Sequence, residues 1–271
     1  MKNYFKILII LLILVGGLFF YVKNYQDEFE VIFFDIGQGD SALIKFGNGE
    51  KMLVDCGPDK NVLYRLGEYL PFFDRTIDYL LITHFDLDHY GGCIDILKRY
   101  KVGNVILNGQ DGNNKYFYSW QEVLNAKNIN QKIISGFEKL NIGSSTLIFL
   151  SPDPEFNFTD KNDNSIVFKL DTSSQDFLFT GDMGIDLEEK LIEKYCSSTC
   201  EFFDVDILKV GHHGSDTSSS EDFLKFVSPD ESVISVGKNS FGHPSLRVLR
   251  KLERAGSEVF RTDVVGDIIF K

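Results

Sequence analysis

The sequence predicts an α/β chain: two packed sheets with helices on both outer faces, preceded by a membrane helix. Three observations predict it. Strand-length apolar or alternating runs trade places with amphipathic helical stretches through both halves of the 271 residues. No low-complexity linker divides them, and the chain opens on a continuous apolar run. At 43% hydrophobic and 25% charged residues, the composition is that of a globular protein with an ample core.

The apolar run over 7–22 follows Lys2 and Lys6. It is a little short of the roughly 20 residues a spanning helix needs. Tyr4, Tyr21 and Tyr25 suit the interfaces, and Lys6 and Lys23 can snorkel, so spanning is feasible. With no small-x-small cleavage site and no lipobox cysteine, 1–25 reads as an uncleaved single-pass anchor and 26–271 as one domain. Lys2 and Lys6 lie on one side, Lys23 followed by Asp27, Glu28 and Glu30 on the other. That asymmetry puts the amino terminus inside and the domain outside the cytoplasm, at the cell membrane.

Stretches 29–35, 41–46 and 51–55 read as strands, the last two joined by Gly47-Asn48-Gly49. A helix over 61–72, a strand over 77–83, a helix over 93–100 and a strand over 102–107 follow. The Gly- and Asn-rich stretch 109–115 reads as a mobile loop, and 119–127 as a helix. Strands are expected near 131–134, 146–150, 164–170 and 177–180. Helices over 186–195, 220–227 and 245–255 alternate with strands over 205–209, 232–236 and 268–270. Cys56 and Cys93, in apolar surroundings, read as buried free thiols; Cys196 and Cys200 can pair outside the cytoplasm.

The densest chemistry is Thr83-His84-Phe85-Asp86-Leu87-Asp88-His89-Tyr90-Gly91-Gly92, directly after the 77–83 strand. Four metal-binding side chains fall within six residues. In an extended segment His84 and Asp86 point the same way, whereas the adjacent Asp88 and His89 diverge and suit a second ion. Imidazole with carboxylate is the ligand mix of Zn²⁺, Mn²⁺ or Fe rather than of a thiolate site. Gly91-Gly92 lets the backbone turn tightly into the next helix. All five histidines, His84, His89, His212, His213 and His243, sit in such motifs.

H-x-D-x-D-H followed by Gly-Gly resembles the metal motif of the metallo-β-lactamase superfamily, with Asp86 where the commoner form has His. Asp35-Ile36-Gly37-Gln38-Gly39-Asp40 and Leu53-Val54-Asp55-Cys56-Gly57 precede it. Asn164-Ser165-Ile166-Val167, Phe179-Thr180-Gly181-Asp182, Leu208-Lys209-Val210-Gly211-His212-His213-Gly214-Ser215 and Gly242-His243-Pro244 come after it. In that order they resemble the extracytoplasmic metallo-β-lactamase domain of ComEC-type competence proteins. The resemblance implies an αββα sandwich and a binuclear hydrolase. His84, Asp86, Asp88, His89, Asp182 and His212 would hold two divalent ions, Zn or Mn, with Asp182 bridging them. Asp88, His213 and His243 would be catalytic. At least one of His212 and His213 is a ligand, with His212 preferred, and His243 is either a further ligand or a donor to the leaving oxygen. Asn164 stands near the place where other members have a histidine, so the first site is weaker or completed by water. Asp35, Asp40 and Asp55 either touch metal or hold tight turns. Ser215, Thr217, Lys209 and Lys238 are lesser candidates for phosphate contact.

A pair of divalent ions about 3.5–4 Å apart clamps the attacking and leaving oxygens of a displacement. A phosphodiesterase or nuclease acting on a phosphodiester, DNA among the candidates, is therefore the expected function. The alternative is hydrolysis of another envelope or small-molecule ester, a lactone or a β-lactam. Net charge −12 argues against an extended phosphate-tracking surface, although Lys209, Lys238, Arg247, Arg250, Lys251 and Arg254 can form a local basic patch.

Overall fold

The computed structural model describes residues 4, 6, 7, 9–13, 15–17, 28–112, 114–196, 200 and 202–271. Its strands, in chain order, are β1 (Glu30–Phe33), β2 (Ala42–Lys45), β3 (Lys51–Val54), β4 (Thr76–Leu81), β5 (Lys101–Leu107), β6 (Asn130–Ile133) and β7 (Glu138–Ile142). They continue with β8 (Ser145–Ser151), β9 (Val167–Asp171), β10 (Phe177–Phe179), β11 (Ile207–Lys209), β12 (Glu231–Ile234), β13 (Glu258–Arg261) and β14 (Ile268–Phe270). They form two seven-stranded sheets, ordered β14-β1-β2-β3-β4-β5-β6 and β13-β12-β11-β10-β9-β8-β7. Each sheet is antiparallel over one half and parallel over the other, the parallel halves being β3–β6 and β10–β13.

Away from the edge strands both faces of both sheets are buried, which is why the central strands read as near-continuous apolar runs. On β1, Val31 and Phe33 face the inter-sheet core while Ile32 and Phe34 face outward beneath helices. The inter-sheet layer is aromatic: Phe168 stacks on Phe179 with ring centroids 4.7 Å apart, and Phe179 on Phe33 at 5.5 Å. Helices α1 (Asn61–Tyr69), α3 (Cys93–Arg99) and α4 (Lys115–Lys127) close the first sheet through Val62, Leu66, Ile96 and Trp120. The short α2 (Leu87–Tyr90) lies between α1 and α3 in the chain. Helices α5 (Ile185–Tyr195), α6 (Glu221–Val227) and α7 (Leu246–Ala255) close the second through Leu187, Leu191, Phe223 and Leu252. A last short helix is α8 (Thr262–Val265). The expected αββα layering is present.

Several expectations need correction. Cys56 and Cys93 are not free thiols: they form a buried disulfide, Cα atoms 5.2 Å apart, and Cys196 is bonded to Cys200. Strands β7 and β13 went unpredicted because each is a sheet edge, with exposed polar residues breaking the apolar run. Helix α4 begins one turn early, where the Asn114 side chain accepts from the Tyr116 and Phe117 amides, shortening the 109–115 loop. Residues 162–164 form a 3₁₀ turn, so β9 starts at Val167 rather than 164. Among the described residues no helix is long and apolar enough to cross a membrane. The anchor expected over 1–25 falls in large part outside the described residues.

Candidate metal centre

The parallel halves of the two sheets deliver their loops to one edge of the sandwich. Asp55 follows β3, His84–His89 follow β4, Asp182 follows β10, and His212 and His213 follow β11. In a parallel sheet the carboxyl ends of adjacent strands open together, so loops distant in sequence converge there. Asp55, His212 and His213 all take left-handed backbone, at φ 55°, 49° and 52°. Consecutive non-glycine residues of this kind cost on the order of 1–3 kcal/mol each and persist where the surroundings over-determine them. Gly39, at φ 136°, packs against the metal loop so closely that a Cβ would lie 2.3 Å from the Asp88 carbonyl. The Asp40 amide donates to that same carbonyl.

Hydrogen bonding fixes how three histidines face. The Asp55 carboxylate accepts from His89 Nδ1 at 2.8 Å and from the Thr83 amide and hydroxyl at 2.8 and 2.7 Å. With its proton directed to Asp55, Thr83 Oγ1 is left to accept from His84 Nδ1, 3.1 Å away. His213 Nδ1 donates to the Ser235 carbonyl at 2.9 Å. In all three rings Nδ1 bonds outward, so each Nε2 faces inward, where on losing its proton it offers a lone pair to a cation.

Those Nε2 atoms converge on Asp182. The distances to its carboxylate are 3.2 Å from His89, 3.6 Å from His213 and 3.9 Å from His84, and Asp88 lies 3.3 Å from His213 Nε2. Nine buried side-chain nitrogen or oxygen atoms lack a hydrogen-bond partner among the described residues. Six belong to Asp40, His84, His89, Asp182, His213 and His243. Buried polar atoms are nearly always paired in native proteins, so this concentration marks a place built for a further partner. Two donor groups stand out, His84–His89–Asp182 and Asp88–His89–His213; Asp40 joins Asp182 and His213 in a third. Imidazole and carboxylate around a buried point fit a divalent cation.

The electrostatics agree. Burial opposes charge on His89 and His213, yet the Asp182 carboxylate, with Asp55 for the one and Asp40 for the other, outweighs it. His89 is raised well above 6.5, and His213 is pushed up to about 10. His84, buried beside the His89 cation, is pushed down to about 3. Burial raises Asp182, but His89 and His213 hold its pKa well below the usual carboxylate range. Two imidazolium charges thus answer a demand for positive charge that a metal ion would meet while releasing protons.

The sequence-predicted residues are distributed unevenly. His84, Asp88, His89, Asp182 and His213 come together. Asp86, partly exposed, stands 3.9 Å from His84 Nε2 and lies outside the donor groups. So does His212, placed 3.9 Å from Asp182 at the mouth of the site, whereas its neighbour His213 is buried inside. His243 sits beside His212, ring centroids 5.5 Å apart. Asn164 turns away to bond backbone carbonyls; Ser165 occupies that corner, its hydroxyl 3.4 Å from His84 Nδ1 and accepting from the Asp182 amide. Lys209 faces no open surface: its ammonium is buried against Asp40 at 2.6 Å. Asp35 pairs with Arg65, away from the centre. Thr83 and Ser165 were missed as site residues, since a hydroxyl inside an apolar strand flank carries no distinctive pattern.

A family model described as the Metallo-beta-lactamase superfamily matches residues 34–238. The chain is 30% identical over 278 residues to ComE operon protein 3 of Bacillus subtilis, covering 94% of this chain and 34% of that protein. It is 31% identical over 243 residues to Recombination protein 2 of Haemophilus influenzae, covering 86% and 28%. The chain therefore spans about a third of the length of the curated relatives it matches. Among solved structures, the metallo-beta-lactamase fold protein YhfI of Bacillus subtilis aligns with a TM-score of 0.59 at 13% identity, over 90% of this chain and 99% of that one.

Proposed function

Because the chain belongs to the metallo-β-lactamase superfamily and is a metal-dependent hydrolase, we propose that it cleaves phosphodiester bonds at a binuclear centre. The observation that carries this is the sharing of donors: His89 belongs to both main donor groups, and Asp182 stands between His84 on one side and His213 on the other. His84, His89 and Asp182, with Asp86 beside them, would hold one ion; Asp88, His89 and His213 would hold the second. His213 replaces His212 in this ligand set because its Nε2 is the one aimed at Asp88 and Asp182. Zn²⁺ or Mn²⁺ bound there would supply positive charge to polarise a phosphoryl oxygen and acidify an attacking water.

The protein's own groups do the rest. Asp55, Thr83 and the Ser235 carbonyl hold the three rings in one tautomer and one orientation. His212 and His243 line the mouth, where His243 can donate a proton to the departing oxygen. The names of the competence- and recombination-related relatives point to nucleic acid as the phosphodiester, and the order of motifs supports the same branch. We also place the domain outside the cytoplasm, held by an anchor over 1–25; the two disulfides support an oxidising compartment.

The test loads the chelated protein with Mn²⁺ or Zn²⁺ and offers a chromogenic phosphodiester, a single-stranded oligonucleotide, a lactone and a β-lactam side by side. Retention of about two ions per chain with phosphodiester turnover is the expected result. A metal-loaded enzyme that opens a lactam or lactone ring and ignores every phosphodiester replaces this proposal with the other ester class.

A further inference from the structure

One surface beside the metal centre is built unlike the rest of this acidic chain. Between the 239–245 loop and α7 runs a groove of about 560 Å³, lined by Gly242, Ser245, Arg247, Arg250, Arg254 and one carboxylate, Asp216. The arginines fall at i, i+3 and i+7, on the face of α7 opposite the buried Val248 and Leu252. Arg254 is paired with Glu221, and Arg247 stands 3.7 Å from Asp216 with both side chains largely exposed. Arg250 has no carboxylate partner among the described residues.

Next in the chain to the lining Gly242 stands an aromatic ring, Phe241. Phe241 is 72% exposed, and its ring lies 5.7 Å from that of His243, inclined by 30°. An exposed phenylalanine on a loop is ordinarily unremarked, but this loop is pinned. The single side chain of Asn239 accepts from the Phe241, Gly242 and His243 amides and donates to the Gly237 and His243 carbonyls. One amide group thus spends five contacts holding an apolar ring in water beside a site histidine. A rigid exposed ring next to a row of cations is the pairing that grips an unpaired strand, stacking on a base while neutralising its backbone.

Resting on the phosphodiesterase proposal above, we infer that this groove seats single-stranded nucleic acid next to the scissile bond. Phe241 stacks on a flanking base, and Arg247 and Arg250 meet the phosphates beyond it. From Arg247 to Arg254 the helix advances about 10 Å, so the row of cations runs past more than one phosphate of a strand laid along it. The rest of the chain, at net charge −12, repels a polyanion, so the strand is steered to this face.

The full chain, loaded with Mn²⁺, is assayed on a single-stranded oligonucleotide and on bis(p-nitrophenyl) phosphate, which is too small to reach the groove. Phe241→Ala should raise KM for the oligonucleotide by roughly 5- to 100-fold, with Phe241→Trp restoring it. Arg247→Ala with Arg250→Ala should flatten the slope of log affinity against log salt by roughly 0.7 per arginine. Turnover of the small diester should stay within about twofold of the parent. An unchanged oligonucleotide KM and salt slope, or an equal loss on both substrates, overturns the groove assignment. A parent enzyme that cleaves neither substrate removes the phosphodiesterase proposal itself, and the groove assignment with it.

Discussion

Replacing both Cys56 and Cys93 by alanine tests how the metal loop is held. The disulfide closes a loop of sequence separation 37, within which the whole of His84–Gly92 lies. Chain-entropy reasoning for that length gives about 4 kcal/mol of stabilisation at 25 °C through the unfolded state. Both sulfurs are fully buried against Val62, Tyr90 and Ile96, so losing them also forfeits packing. At about 2–4 °C per kcal/mol for a domain of this size, the melting midpoint should fall by roughly 8–16 °C. The bridge also ties Cys56, next to the His89-orienting Asp55, to the first turn of α3, directly after the metal loop. Retained metal should therefore fall together with the midpoint. Thermal unfolding of parent and double variant without reductant, alongside metal content, gives both readings. A midpoint within about 2 °C of the parent, or two reactive thiols at 56 and 93 in the untreated parent, would refute the reasoning.

Three further outcomes are expected. Asp55→Asn keeps the size of the side chain but weakens its grip on His89 and Thr83, and should lower metal affinity about 10- to 100-fold in chelator competition; unchanged affinity would mean that the rings are oriented by packing alone. Glu188→Ala strips the partner from the Ser219 and Ser220 amides ahead of α6, and should cost about 2–4 kcal/mol in denaturant unfolding with metal content intact; a change below about 0.5 kcal/mol counts against that cap. An alkaline-phosphatase fusion after Lys271 should be active and a cytoplasmic reporter there silent; the reverse pattern overturns the proposed orientation.

Much of this protein was legible before any coordinate. Alternating strand and helix patterns gave the layered α/β class, because a sheet covered on both faces must be apolar throughout its central strands, as in Val31–Phe34 and Phe177–Phe179. The His84–His89 cluster was legible because its donors are neighbours in the chain, and local spacing is what a sequence records directly. The edge strands β7 and β13 were not, since the charged and polar Glu138, Lys139, Asn141, Glu258 and Arg261 leave each with only two apolar residues.

What only the tertiary structure decided is which distant groups meet. His212 and His213 are adjacent and chemically identical, and nothing local ranks them. The left-handed turn after β11 buries one and leaves the other at the rim. Asp55, Thr83 and Ser235 orient the rings from three different loops, joined only because β3, β4 and β12 end at the same edge. Cys56 and Cys93 read as free thiols from their apolar surroundings, and nothing local pairs residues 37 positions apart; the packing of the β3 exit on α3 brings their Cα atoms to 5.2 Å. Sequence spacing determines which donors a segment carries, but long-range pairing determines which of them face one another, and that is set by the strand order within the two sheets.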